Sequence, residues 1–293
     1  MNNKIYKFLR LLILATSIVY FFYFIYKNIS ILDNIKNFDI QAIALIILLK
    51  IINVKLLSNI NLHILKYLDI KLTNAESLDL TVKNILGNLS SPLRLGSGYK
   101  LSYLKNRYDF KIKDFLVWHT FFGILNLFPL MLIFFMYATY FDVVLIVNNL
   151  IIIVGLVALF ITFLYLIEND VVKQRFNFNF NFTFFSKNNL LIQTNNVLFF
   201  FSNSLIVFII LESLTVKISF FSALAYSFLS SFVNLLNVTP GNIGVKEGLI
   251  ILFNQVHKIS YLSIIITSFI ERLASLIVLF CFQLYFKNKS EII

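Results

Sequence analysis

Residues 259–286 read ISYLSIIITSFIERLASLIVLFCFQLYF, followed at once by Lys287 and Lys289. A helix needs roughly 20 apolar residues to cross a bilayer, and this run exceeds that. It is one of several such runs. Hydrophobic residues make up 59% of the 293-residue chain and charged residues 13%, about half the roughly 25% of a soluble domain. Mean hydropathy is +0.85. The length is therefore read as a number of membrane spans and not as a number of soluble domains.

Working outward, further apolar runs cover 8–26, 40–57, 115–139, 143–167, 196–216 and 219–238. The first begins among Lys4, Lys7 and Arg10 and lacks a small-residue cleavage site, so it reads as an uncleaved span with a cytoplasmic N-terminus. The second contains Lys50, Asn53 and Lys55. Snorkelling to the interface is the ordinary explanation for such lysines, and a cavity facing anionic headgroups is the other. Segment 58–114 is rich in charge and reads as cytoplasmic, with 75–89 as an interfacial or re-entrant helix. Tyr140-Phe141-Asp142 is a minimal link, so the spans beside it form a tight hairpin, with His119 and Asn126 on one helical face. The loop 168–195 contains a Phe-Asn alternation at 176–182, which suits either a surface strand or a compositionally biased loop.

The expected fold is an all-α polytopic transmembrane helical bundle of about seven or eight membrane segments, two of them interrupted or re-entrant. Its expected place is the cytoplasmic (inner) membrane. Lys+Arg number 25 against 14 Asp+Glu, a net charge of +11. Cytoplasmic loops collect such an excess, and no nucleic-acid-binding module accompanies it. One cysteine, Cys281, and three scattered histidines, His63, His119 and His257, provide no metal-ligand spacing. No catalytic residue, metal or cofactor is expected.

Only three prolines occur, and two sit in matching settings: Pro92-Leu93-Arg94-Leu95-Gly96 and Pro240-Gly241-Asn242-Ile243-Gly244. Proline removes a backbone donor and glycine permits unusual dihedrals. At membrane depth the freed backbone groups are tolerated only inside protein or beside water, and transporters place such breaks at a central site. A structural kink is the plainer explanation. The segment 243–256 is too short to span unbroken, since 14 helical residues reach about 21 Å. A crossing in broken form is expected, which returns the C-terminal lysines to the cytoplasm. A helix beginning after Gly241 is expected to aim free N–H groups at the site.

Glu271 and Arg272 lie near the middle of the last span, and Glu247 lies beside the preceding break. Charges at that depth need partners within the bundle. Neighbours in a helix point in different directions, so Glu271 and Arg272 are expected to reach different elements, with Glu247–Arg272 as one pair. Glu212 has a looser claim to such a partner.

Residues 239–247, Thr-Pro-Gly-Asn-Ile-Gly-Val-Lys-Glu, resemble the P-G-G-x-G-x-x-E signature of the flippase-like family that includes the transmembrane region of lysylphosphatidylglycerol synthetases. Residues 91–96, Ser-Pro-Leu-Arg-Leu-Gly, resemble its P-x-R-x-G-E signature. The resemblance implies movement of a lipid or lipid-linked substrate between leaflets, in a family found beside genes for surface glycans. By motif it carries over Pro92, Arg94, Gly96, Pro240, Gly241, Gly244 and Glu247. Ser97 replaces the acidic residue, which puts a proton- or cation-handling role there in doubt, and Asn242 replaces a glycine. Ile293 closes the chain without the aminoacyl-transferase domain of those synthetases, so lipid aminoacylation is not expected. No nucleotide-binding motif occurs either.

The sequence therefore reads as a translocase for a phospholipid or lipid-linked glycan intermediate, not an enzyme. Arg94 and Lys100 would hold the phosphate, the helix after Gly241 would shape the site, and Glu247 and Arg272 would exchange partners. Two alternatives stand beside it. One is a membrane-embedded transferase for a lipid-linked sugar, for which Asp69, Glu76 and Asp79 are the candidate acids. The other is a non-catalytic partner of glycan- or lipid-biosynthesis enzymes. The substrate and the oligomeric state are open at this point.

Overall fold

In the computed structural model of the chain, residues 38–90, 95–109, 186–236, 242–252 and 259–290 are described. All secondary structure among them is helical: α1 (Ile40–Lys66), α2 (Asn74–Ser90), α3 (Leu95–Tyr108), α4 (Lys187–Ser213), α5 (Phe220–Leu236), α6 (Val245–Leu252) and α7 (Tyr261–Ser290). The expected spans 8–26, 115–139 and 143–167, the His119–Asn126 face and the 176–182 alternation lie outside the described residues. Three helices are long and apolar enough to cross a membrane, α1, α4 and α7, and α5 is a shorter apolar helix.

Asp39 opens α1 by accepting the Gln41 N–H at 3.2 Å, and Ser186 opens α4 by accepting the Asn189 N–H at 3.2 Å. Each helix runs 27 residues, about 40 Å at 1.5 Å per residue, more than the roughly 30 Å hydrocarbon core. Both are longer than their apolar runs. α1 extends to Lys66 and α4 starts at Lys187, where polar residues had suggested loops. The extensions hold each other: His63 Nδ1 lies 2.6 Å from Asn188 Oδ1, and the Tyr67 hydroxyl lies 2.6 Å from Ser186 Oγ.

The pattern of burial is that of a protein in lipid. Leu48 and Ile52 on α1, Leu198 and Leu205 on α4, and Ile277 and Phe280 on α7 face outward. Asn53, Ser58, Ser204, Thr267, Ser268 and Glu271 are buried. In a bilayer the outward face needs no polarity, whereas hydroxyls, amides and charges must find partners inside.

Directions follow from side-chain registers. Asn53 meets Asn203 while His63 meets Asn188, so α1 and α4 are antiparallel. The Phe208 and Phe220 rings are 5.8 Å apart, so α5 folds back along α4. Ile46 packs with Ile266, and Val54 with Val278, so α7 runs parallel to α1. The chain therefore ends α5 at one face of the bundle and begins α7 at the opposite face. The eight-residue α6 covers only about 12 Å of that distance.

α2 packs against α1, with Ser58 Oγ donating to Ser77 Oγ at 3.1 Å and Asn61 Nδ2 to Thr81 Oγ1 at 2.9 Å. Its far end packs Ile85, Leu86 and Leu89 against Val54 and Val278. Those are mid-helix residues of α1 and α7, so the far end of α2 packs into the bundle. α3 returns beside it, and the crossing is made by glycine. A Cβ on Gly87 would sit 2.6 Å from Gly96 Cα, and a Cβ on Gly96 would overlap the Asn84 carbonyl. At the base of this hairpin the Tyr103 and Tyr108 hydroxyls donate to Glu76 Oε1 at 2.5 and 2.8 Å, and Arg107 Nε lies 3.3 Å away. Burial pushes the Glu76 carboxyl up, but these three partners outweigh it and hold it below its ordinary range.

Two outcomes follow. Gly96→Val should lower stability by about 1–3 kcal/mol, the usual cost of overpacking, while Gly98→Ala, which meets nothing within 4 Å, should be neutral in thermal unfolding in detergent. The depressed Glu76 carboxyl adds stability that is present above its unfolded pKa and is lost as pH falls through its folded one. Glu76→Gln should remove that acid-side dependence in melting curves taken across the carboxylate range.

Candidate functional site

α6 carries Lys246-Glu247 and α7 carries Glu271-Arg272, adjacent opposite charges in opposite order. The two helices pack together, and the charges pair crosswise. Lys246 Nζ lies 2.5 Å from Glu271 Oε2, and Arg272 Nη1 lies 2.7 Å from Glu247 Oε1. Lys50 on α1 approaches the other oxygen of Glu271 at 3.8 Å. Lys246, Glu247 and Glu271 are buried. The Lys246 ammonium also stands 5.3 Å from the centre of the Tyr226 ring on α5, within cation–π range.

Glu247 has a second task. It is the third residue of α6, and its Oε2 accepts the Gly244 N–H at 2.8 Å, the reciprocal half of a capping box. Its Oε1 also accepts the Ser268 hydroxyl. The break before α6 uses left-handed backbone at Asn242 (φ 56°) and Gly244 (φ 82°). Asparagine visits that region more easily than most side chains, which is how the Asn242 departure from the glycine signature is absorbed. The expectation of an α6 N-terminus with open N–H groups is corrected in one respect: its own Glu247 takes the Gly244 N–H.

Beside these ion pairs lies a cavity of ≈ 280 Å³ walled by α1, α2, α4, α5, α6 and α7 and by Asn242 before α6. Its lining includes polar groups, with Lys50, Asn53, Asn203, Ser227, Asn242 and Lys246 among them. It also includes Val54, Ile85, Leu89, Val278 and Leu279, which belong to one packed aliphatic cluster. Asn88 of α2 and Asn242 before α6 both line it, so the flanks of the two interruptions meet at one place.

Of the residues singled out in the sequence, the structure brings Glu247, Glu271 and Arg272 together, with Glu247 and Arg272 paired and Glu271 directed elsewhere. Glu271 and Arg272 line the cavity. Gly96 serves the α2–α3 crossing, and Gly244 the turn into α6. Lys100 is buried against α1, donating to Asn61 Oδ1 at 2.5 Å, and burial pushes its ammonium down to about 8. It is not among the cavity-lining residues. Pro92, Arg94, Pro240 and Gly241 lie outside the described residues. Glu212 is exposed at the end of α4. Asp79 pairs with Lys83 at 2.7 Å and Glu76 closes the hairpin base; among the described residues no three His, Cys, Asp or Glu side chains converge.

Lys50 corrects the snorkelling explanation, because its ammonium turns inward to Glu271. Lys246, Asn203 and the α5 serines escaped sequence reasoning. Lys246 had a visible signal, its place beside Glu247 in the signature. Serines in an apolar helix carry none.

Removing one member of a buried pair strands the other, at a cost of roughly 3–5 kcal/mol. Arg272→Ala should destabilise the protein on that scale in thermal unfolding, and Arg272→Ala with Glu247→Gln should recover part of the loss.

Comparison with known proteins adds one match. The family profile described as lysylphosphatidylglycerol synthase TM region aligns with residues 8–282. No curated protein and no solved structure gave a match. The aligned region contains both interruptions, all seven described helices but the last turns of α7, and every charge of the central network; the chain belongs to the lysylphosphatidylglycerol synthase TM region family.

Proposed function

We propose that this protein moves a phospholipid or lipid-linked glycan intermediate between the leaflets of the cytoplasmic membrane, acting as a carrier and not as an enzyme, with its N-terminus in the cytoplasm. The observation that carries this reading is a cavity lined by both charged and aliphatic side chains of several helices, with residues flanking the two helix breaks among them. A lipid moving across a bilayer needs a shelter for its polar head, and its chains can stay in hydrocarbon. A cavity of ≈ 280 Å³ suits a headgroup; whole drug-sized ligands occupy about 300–1,000 Å³. Family membership supports a lipid as cargo, since the family takes its name from the membrane region of a lipid-modifying enzyme.

In this reading the ion pairs hold the empty site together and exchange partners during a cycle. Lys50 and Lys246 turn from Glu271 to the cargo phosphate, and α6, short and preceded by left-handed backbone at Asn242 and Gly244, is the element that shifts. The sequence contains no nucleotide-binding motif, so movement runs down a gradient or is driven by a partner, and biosynthetic enzymes would deliver the cargo.

The test is leaflet sidedness in proteoliposomes with headgroup-labelled lipids and a membrane-impermeant quencher. Protein-dependent exchange is expected, with Lys246→Gln slowing it at least about tenfold, the equivalent of one lost charge-assisted contact. Glu76→Gln, at the hairpin base, should exchange at the wild-type rate. Absence of protein-dependent exchange across a broad lipid panel would overturn the proposal.

A further inference from the structure

Once Lys246 turns from Glu271, as the carrier reading above requires, its ammonium needs another partner. A lone ammonium away from water is costly. The neighbouring charge shows how α6 meets such a need. Glu247 pairs with Arg272 across the helix interface, and it also accepts the Gly244 N–H at 2.8 Å from the turn at its own N-terminus. That second contact does not depend on α7. Lys246 is placed in the same way, with one partner on α7 and one elsewhere. Its Nζ lies 2.5 Å from Glu271 Oε2, and it stands over the Tyr226 ring of α5, 5.3 Å from the ring centre.

Tyr226 is suited to be that standing partner. It is fully buried and belongs to the core cluster that draws Phe200 and Val207 from α4, Ile250 from α6 and Ile264 from α7. A ring in so close-packed a place keeps one position, so the ammonium moves relative to it and not with it. The negative face of an aromatic ring attracts a cation out to about 6 Å, most strongly where water is excluded. It does so without a formal charge. A carboxylate in that place would bind Lys246 as a second Glu271 and compete with an anionic guest, whereas a ring holds the ammonium and leaves its charge available. Lys246 lines the cavity and Tyr226 is not among the lining residues, so the ring acts on the ammonium and not on the cargo.

We propose that Tyr226 is a positioning residue of the carrier: its ring holds the Lys246 ammonium while that ammonium is off Glu271, on its way to and from an anionic guest. The contact eases the exchange of partners and acts through Lys246 alone. This rests on the carrier reading for its place in a cycle, but the hold of the ring on a Lys246 without its carboxylate can be measured without transport.

The experiment varies the charge on the ring face at nearly constant shape. Tyr226→Phe, which keeps the ring, is the reference, and the same substitution is made with phenylalanines carrying one, two and three ring fluorines, each of which drains the negative face. Thermal unfolding of the purified full chain is followed across this series with Glu271 intact and in Glu271→Gln, where the carboxylate is gone and the ring remains. In Glu271→Gln the midpoint should fall stepwise with fluorine number, by about 2–4 °C over the series, and by less with Glu271 intact. In proteoliposomes, exchange of headgroup-labelled phosphatidylglycerol should slow stepwise, about tenfold from no fluorine to three, and the series should be flat in Lys246→Gln. A ring that served packing alone would give flat series throughout, because fluorine changes its size little. If Glu271→Gln does not fold, the exchange series with its Lys246→Gln control decides. A flat midpoint series in Glu271→Gln, a flat exchange series, or a slope that persists in Lys246→Gln overturns the inference. No exchange by the unsubstituted protein, with the stepwise loss in Glu271→Gln present, would overturn the carrier reading and leave the hold of the ring on Lys246 standing; wild-type exchange with flat fluorine series would do the reverse.

Discussion

A carboxylate in the middle of an apolar helix must be met by a cation, and the arrangement of this bundle follows from that requirement. Glu271 sits on a helix otherwise fit for lipid. Its partners come from two other elements, Lys246 at 2.5 Å and Lys50 at 3.8 Å. Meeting that demand fixes which face of α1 turns inward, and it holds the start of α6 at the depth of mid-α7. The neighbour Arg272 repeats the logic with Glu247. Breaking a buried pair costs several times what an exposed pair contributes, so these contacts define the register of α1, α6 and α7 more sharply than aliphatic packing, which tolerates sliding among Ile, Leu and Val.

The same physics explains what could be read from the sequence. Apolar runs report contact with lipid, and α1, α4, α5 and α7 were legible for that reason. Helix length was not. The polar ends of α1 and α4 stay helical because His63 with Asn188 and Tyr67 with Ser186 tie them together, and hydropathy cannot see a bond between residues so distant in sequence. The Glu247–Arg272 pair was legible because two adjacent charges cannot serve each other. Lys50 was ambiguous because a single lysine within a span is compatible both with snorkelling to water and with a buried partner, and only the position of Glu271 decides. α2 was half legible. Its moderate amphipathicity suits an interface, and the glycine crossing at Gly87 and Gly96 that lets α3 return beside it depends on a backbone approach.

Interruption places the ends of helices at the cavity, where continuous spans would present only their sides. α2 contributes Asn88 and Leu89 from its last turns, and the second break contributes Asn242 and Lys246. A helix end can move without sliding a whole span through the bilayer, because the neighbouring turn absorbs the change. At Asn242 and Gly244 that turn already uses left-handed backbone.

α6 is short for the same reason. It carries one member of each ion pair, Lys246 and Glu247, while α7 carries both of the other members. A shift of α6 relative to α7 therefore loosens both pairs together. The Gly244–Glu247 contact travels with α6, since both groups belong to its first turn. The cap thus survives a movement that the interhelical pairs register. A half-helix with an internal cap and external charge partners can be displaced as a unit, at a cost set by two ion pairs that an anionic guest can replace.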